Sequence, residues 1–436
     1  MSEQIIQKFG GSSLANGERF ELVSELITES EPIAAVVSAP GARFKGDVKV
    51  TDMLEDFASG GHVGIETIMG RFEESAQILG QTAIEAVLKD TRARIIGSSD
   101  RDSLVSVGEW FSARLMSENT GLPMVDATNL IIFNQDRSLN SAQTGLKVAT
   151  ILGQSRKTLI IPGFYGKYGN GIATFPRGGS DTTGAILTAF SEATIYENNT
   201  DTDGVKPADP KWKLDLSTIG NITYDEMRAF CNVGAGIFQG DSVTHMMDNG
   251  KTTIVRNTFN RQSHYTEIAD ERPTNPNELI LAIGSSEDLT YIRVESHGMN
   301  ERRGEFKKFS DTLAHMGLAV EHMPSGKDSI VAILETSQIE KMNLNNDLVE
   351  EILHEQMPGQ SYKIGIAGIG AVYLIGQEVH SLSNRSSEID TRRAKVFQKQ
   401  GIPILGSDGF NGNMHAYFIP KERVGDAVTA LAGEFF

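Results

Sequence analysis

The chain has 436 residues, 39% of them apolar and 22% charged, with a formal net charge of −17. That length exceeds one ordinary core and predicts two or three domains. The acidic balance excludes a general nucleic-acid or anionic-membrane surface, which needs a basic face, but leaves room for one nucleotide held by a few local cations and N–H groups. The single cysteine, Cys231, excludes an intrachain disulfide and any multi-cysteine metal site and reads as a small buried hydrophobe. The N-terminus, MSEQIIQKFGG, lacks the basic-then-apolar pattern of a secretion signal, and no run approaches the ~18 apolar residues of a membrane helix. A soluble cytoplasmic protein is expected.

The first two-thirds of the chain alternates short apolar runs with amphipathic segments, the pattern of an α/β domain. Ile5 to Phe9 reads as a strand opening into Gly10-Gly11-Ser12-Ser13, and Glu18 to Thr28 places Phe20, Val23 and Ile27 at helical spacing. Ile33 to Val37 and Leu159 to Ile161 are continuous apolar runs, as in strands buried on both faces, and Ala193 to Tyr196 is a shorter instance. Helices are predicted over Leu104 to Met116 and Asp181 to Phe190. The polar run from Glu271 to Pro276, with two prolines, reads as a linker. Two related units follow. In the first, strand Tyr291 to Val294 leads to a helix with Phe306, Phe309, Leu313 and Met316 on one face, a stop at Gly317, and a strand Leu318 to His322. In the second, a strand near Ala371 to Ile375 leads to a helix carrying Ile389, Val396 and Phe397, a stop at Gly401, and a strand Ile402 to Leu405.

Three segments could carry chemistry. Lys8-Phe9-Gly10-Gly11-Ser12-Ser13 would let backbone N–H groups approach an anion beside a fixed positive charge; a tight strand–helix turn with an exposed lysine explains this segment equally well. Arg177-Gly178-Gly179-Ser180-Asp181 opens a helix, where Ser180 or Asp181 is a natural N-cap and the arginine with its glycines makes a cradle for carboxylate or phosphate. Thr200-Asp201-Thr202-Asp203-Gly204, followed by Pro207 and Asp209-Pro210-Lys211, is either turn chemistry or a pair of aspartates facing a nucleotide. Glu109 lies in the apolar helix and needs a partner if buried. The glycines of 365–370 and 234–236 lack the spacing of a dinucleotide fingerprint, and the nine histidines show no zinc pattern.

In order, KFGGSSLAN from Lys8, VVSAPG from Val36, Thr51-Asp52, Val107-Gly108-Glu109, PGFYGKYGNG from Pro162, RGGSDTTGA from Arg177, TDTDGVKPADP from Thr200 and VRNTFN from Val255 resemble the aspartate kinases of the amino-acid kinase superfamily. EHMPSGKDS from Glu321 resembles the first of the paired ACT modules these enzymes carry. The resemblance implies a mainly parallel sheet sandwiched by helices over residues 1–272, then α+β ferredoxin-like ACT modules over 278–345 and 355–436, between which strand exchange is possible. It implies transfer of the γ-phosphoryl group of ATP, with Mg²⁺ on the phosphates, to the β-carboxylate of L-aspartate, the first step of lysine, threonine and methionine biosynthesis. Lys8 would neutralise the transferred phosphoryl, with Gly10, Gly11 and Ser12 cradling phosphates. Arg177 would hold the α-carboxylate of aspartate and Glu109 its α-ammonium. Ser38, Thr51, Ser180 and Asp181 would line the substrate, with Asp181 ordering Lys8; no protein metal site is implied. Thr200, Asp201, Lys206 and Lys211 would lie on the ATP side. Met299, Val320, Glu321 and Ser325 would border a pocket for lysine or threonine, in a homodimer or larger homo-oligomer joined through the ACT modules. Lys206 stands where relatives carry a tyrosine, and Gly236 where they carry a lysine.

Overall fold

The computed structural model describes residues 4–176, 178–233, 245–247, 249–273, 275, 278–357, 363–377, 379, 384–409 and 412–436. Arg177, the segment 234–240 that includes Gly236, and Thr274 and Pro276 of the expected linker lie outside the described residues. The chain divides into two compact units. The first comprises Met1–Val205, Thr218–Arg228 and Ile237–Pro273; the second comprises Lys206–Ser217, Ala229–Gly236 and Thr274–Phe436. Two segments that precede the expected linker thus belong to the second unit.

In chain order the first unit holds β1 (Ile5–Phe9), α1 (Gly17–Ser30), β2 (Ala34–Val37), α2 (Val50–Ala58), α3 (Ile65–Ala76), α4 (Gln81–Gly97), α5 (Arg101–Val105) and α6 (Val107–Thr120). It continues with α7 (Ser141–Gln154), β3 (Leu159–Pro162), β4 (Tyr165–Tyr168), β5 (Gly171–Thr174), α8 (Gly179–Ala189), β6 (Ile195–Thr200), β7 (Asn221–Thr223), the part of α9 (Tyr224–Cys231) up to Arg228, β8 (Thr252–Asn257) and β9 (Thr266–Ala269). Seven strands form one sheet in the order β3-β2-β1-β6-β8-β9-β7. The first five run parallel and β9 is antiparallel to β8. The fold class is therefore the expected mainly parallel α/β sheet.

The continuous apolar runs explain the layers, because successive side chains on a strand point to opposite faces. Phe9, Ala35 and Val37 join Phe20, Val23 and Ile27 of α1 and the apolar sides of α3, α4 and α6 in one core. Phe72 and Phe111 meet there with ring centroids 4.3 Å apart. Ile6, Ala34, Val36 and Ile161 point the other way, into a second core with α7 and α8. Helices cover the sheet on both sides. The strand expected from Ala193 begins at Ile195, and the helix expected over Leu104 to Met116 is two helices broken at Ser106.

The second unit is α+β, as expected. It holds β10 (Ala282–Glu295), α10 (Glu305–His315), β11 (Ser329–Glu335), α11 (Thr336–Lys341), α12 (Asn346–Gln356), β12 (Lys363–Ile375), α13 (Asn384–Gln400), β13 (Gly406–Asp408), β14 (Met414–Ile419) and α14 (Val424–Phe435). Its sheet order is β11-β10-β12-β14-β13, all pairs antiparallel. Strands β10 and β12 each serve two cores. Ile292 and Val294, with Ile364 and Ile366 alongside, pack with Phe309, Leu313 and Val349. Ile283, Val372 and Leu374 pack with Ile389, Phe397, Val428 and Leu431. A register shift between Ser286 and Leu289 separates the two halves of β10.

The expected glycine stops occur, with left-handed backbone at Gly317 (φ 73°) and Gly401 (φ 61°). Two strands differ. The segment from Leu318 makes only an isolated bridge between His322 and Ile333, and the strand after Gly401 is Gly406–Asp408 rather than Ile402 to Leu405. Phe309, Leu313 and Met316 are buried as the helical spacing requires, but Phe306 is 51% exposed. Cys231 is half-buried rather than buried. Among the described residues no helix is long and apolar enough to cross a membrane.

Candidate active site

The site of the first unit forms at the carboxyl ends of the parallel strands, where chain turns leave backbone groups free for ligands. Strand β1 delivers Lys8, which is 7% exposed. Its ammonium lies 2.6 Å from Asp181 Oδ1, in the first turn of α8, and donates to Asn198 Oδ1 of β6 at 3.3 Å. An enclosed lysine held by one carboxylate and one amide keeps its direction. Lys8 is therefore not the exposed turn lysine of the alternative reading.

After β1 the chain enters a 3₁₀ turn, Gly11–Leu14, whose first N–H groups have no acceptor within the turn. The turn is fixed from three sides. Gly10 N–H donates to Asn199 O at 3.2 Å, and Ser13 Oγ meets Thr258 Oγ1 at 2.7 Å. Arg19, on α1, donates to the Ser12 carbonyl at 2.6 Å. Against it lies the turn after β2, with Gly41 N–H donating to Gly11 O at 2.8 Å. A Cβ on Gly41 would sit 2.4 Å from the Gly11 carbonyl carbon, so only glycine allows the two backbones to meet this closely.

The same turn reaches the acidic residue. Glu109, in the first turn of α6, is 4% exposed. Burial pushes its carboxyl up to about 8, against the hydrogen bond it accepts from the Ala39 N–H. Its Oε2 is enclosed with no hydrogen-bond partner. A buried carboxylate oxygen without a partner is costly in isolation and suits a cationic ligand group. Ser38, half-buried, donates its N–H to Phe9 O at 3.1 Å, and Thr51, half-buried, is the second residue of α2.

Helix α8 starts differently from expectation. Its N-cap is Gly178, in left-handed backbone (φ 79°), so Ser180 and Asp181 lie inside the first turn rather than capping it. Only glycine takes that backbone cheaply, and the shift of two residues frees Asp181 for Lys8. Ser180 is buried against Gly163, where an added Cβ would stand 2.6 Å from Ser180 Oγ. On the remaining side, Thr200 ends β6 and its hydroxyl donates to the exposed Asp201 at 3.3 Å. Lys206 and Lys211 belong to the second unit, where Lys206 donates to Leu216 O at 3.0 Å and Lys211 pairs with Glu287 at 2.9 Å.

Asn198 and Arg19, which hold Lys8 and the glycine turn, lie outside the motifs read from the sequence, whereas Gly41 and Thr258 fall within VVSAPG and VRNTFN. The signal for Asn198 was present: Glu197-Asn198-Asn199 puts three polar side chains in a strand directly after apolar Ile195-Tyr196, and all three are buried. Polar residues there must serve bonds, and Glu197 does so with Gln7 and Arg261.

In the second unit, Met299 and Val320 share one apolar cluster. The loop holding Ser325 is tied to the loop holding Met299, with Asn300 N–H donating to Lys327 O at 3.1 Å and Gly298 N–H to Asp328 Oδ1 at 2.8 Å. Glu321 is exposed and its N–H donates to Ile333 O.

A glycine turn beside an enclosed lysine at the carboxyl ends of a parallel sheet has the form of an anion-binding site, and comparison with known proteins gives the class. The amino acid kinase family model matches residues 3–257. Aspartokinase 3 of Bacillus subtilis is 30% identical over 99% of this chain and 98% of its own length. Clostridium acetobutylicum aspartate kinase superposes with a TM-score of 0.84 at 25% identity, covering 100% of both chains. E. coli aspartokinase III in complex with aspartate and ADP shares the fold, with a TM-score of 0.77 at 20% identity over 100% of both chains; the complex of that protein with lysine and aspartate gives 0.73. The chain belongs to the amino acid kinase family, and within it to the aspartokinases.

Proposed function

We propose that this chain catalyses transfer of the γ-phosphoryl group of Mg-ATP to the β-carboxylate of L-aspartate, giving 4-phospho-L-aspartate and ADP. The observation that carries the reading is Lys8, enclosed at the end of β1 and held by Asp181 and Asn198 beside the glycine turn. A fixed ammonium there neutralises charge on the phosphoryl group as it passes between oxygens. A carboxylate oxygen of aspartate forms the new bond to phosphorus while the bond to the ADP oxygen breaks. The attacking carboxylate is already ionised, so no general base is needed, and catalysis is positioning plus electrostatics. Mg²⁺ enters with the nucleotide, on its phosphate oxygens, as part of the substrate.

The substrate's ammonium pairs with Glu109, supported by the unpartnered Oε2, and its α-carboxylate with Arg177. Ser38, Thr51 and Ser180 line the aspartate; Gly10, Gly11 and Ser12 cradle phosphates. Thr200 and Asp201 face the adenosine, with Lys206 and Lys211 as the further ATP-side cations. Residues 278–345 and 355–436 are the two regulatory modules, and an amino acid, lysine or threonine, binds along Met299, Val320, Glu321 and Ser325. The enzyme is cytoplasmic and forms a homodimer or larger homo-oligomer through these modules. The test is ADP release with Mg-ATP and L-aspartate, L-glutamate or N-acetyl-L-glutamate as acceptor. Turnover restricted to aspartate is expected; turnover on another acceptor instead, or none, removes the reading.

A further inference from the structure

We infer that Arg302 and Glu305 clamp the backbone charges of a free α-amino acid bound to the second unit, Arg302 taking the carboxylate and Glu305 the ammonium. This rests on the regulatory reading of that unit and assigns the ligand-recognising side chains within it.

Arg302 follows the 3₁₀ turn Met299–Glu301 and is fixed by two bonds. Its N–H donates to Met299 O at 3.1 Å, and its Nη1 donates to His297 O at 2.9 Å. The other edge of the guanidinium, Nε and Nη2, is enclosed and has no hydrogen-bond partner. These two N–H groups are the parallel fork that pairs with a carboxylate through two bonds. Two charged donors left bare inside a protein carry a desolvation cost that an incoming carboxylate would remove.

The acid beside this fork does not satisfy it. Glu305 Oε2 lies 3.9 Å from Arg302 Nε, an ion-pair distance beyond hydrogen-bond reach. Glu305 is itself 4% exposed, and its Oε1 is engaged by Lys308 at 3.0 Å. A fork that lacks an acceptor and a buried carboxylate a few ångströms away make a dipolar site, complementary to the carboxylate and ammonium of one amino acid. A simple anion would meet Glu305, and a simple cation would meet Arg302. The turn that leads into Arg302 begins at buried Met299 and is tied to the loop carrying Lys327 and Asp328 through the Asn300 and Gly298 N–H bonds.

The test uses the full chain with aspartate saturating, so that the catalytic site is filled. L-lysine, L-threonine, L-methionine and the corresponding amides, which lack the carboxylate, are titrated with inhibition of ADP release and thermal shift as readouts. The wild-type chain should respond to at least one amino acid and to none of the amides. Arg302→Met should weaken the response about 10- to 100-fold, the loss expected for charge-assisted hydrogen bonds. Arg302→Lys should recover only part of it, and Glu305→Gln should weaken it with the amino acid still required to carry its carboxylate. Turnover without effector stays unchanged in all three, which shows that they fold. An unchanged half-maximal concentration in Arg302→Met, or an amide as effective as its acid, overturns the clamp alone. No response of the wild-type chain to any amino acid overturns the clamp and the regulatory reading together.

Discussion

Replacing Glu109 by glutamine should make the protein more stable at high pH and worse at binding aspartate. Burial raises the Glu109 carboxyl from 4.5 to about 8. Between those values the folded protein retains a proton that the unfolded chain has released, so stability falls as pH rises through this window and is lowest above it. At about 1.4 kcal/mol per pH decade, the ionised carboxylate costs the ligand-free fold on the order of 5 kcal/mol, an upper figure because the site relaxes. Glutamine carries no such burden. Thermal unfolding of Glu109→Gln against wild type should show no difference near pH 5 and a gain of several degrees near pH 9. Over the same range the wild-type KM for aspartate should fall as pH rises towards 8, because the ionised form receives the ammonium. In Glu109→Gln that dependence should vanish and the aspartate KM should rise about 10- to 100-fold, with the ATP KM little changed. A stability difference independent of pH, or equal effects on both KM values, would refute the assignment.

Lys8→Met should lower kcat by at least about 1,000-fold with modest change in either KM, because the lost charge acts on the transferring group. Asp181→Asn should lower it less, since Asn198 still holds the ammonium; steady-state kinetics on both variants checks the order. Gly41→Ala forces a Cβ to 2.4 Å from Gly11. It should raise the ATP KM by displacing the glycine turn, while circular dichroism shows the sheet intact. Arg177→Ala should raise the aspartate KM far more than the ATP KM, and equal effects on both would contradict its role.

Much of the architecture was legible because buried parallel strands write themselves as unbroken apolar runs. Ala34–Val37 and Leu159–Pro162 are such runs, and Phe20, Val23 and Ile27 mark the inner side of α1. What was not legible depended on backbone conformation or long-range pairing. Gly178 in left-handed backbone moves the start of α8 ahead of Ser180, against the ordinary preference for a hydroxyl or carboxylate at the cap. The break at Ser106 falls inside an otherwise helical apolar pattern, with no proline to announce it. The sharing of β10 and β12 between two cores follows from pairings some 80 residues apart in sequence, which local periodicity cannot encode. In the site, Lys8 and Asp181 stood out because each stands close to a pair of glycines in the sequence. Asn198 did not, because its role arises only when β1 and β6, distant in sequence, come together.

The central claim is that aspartate itself receives the phosphoryl group. Trapping the product with hydroxylamine, which converts an acyl phosphate to a hydroxamate, tests it directly when ADP is counted in the same reaction. One aspartyl hydroxamate per ADP, lost in Lys8→Met, is the predicted result. ADP released without hydroxamate, or at the same rate when aspartate is left out, would contradict it.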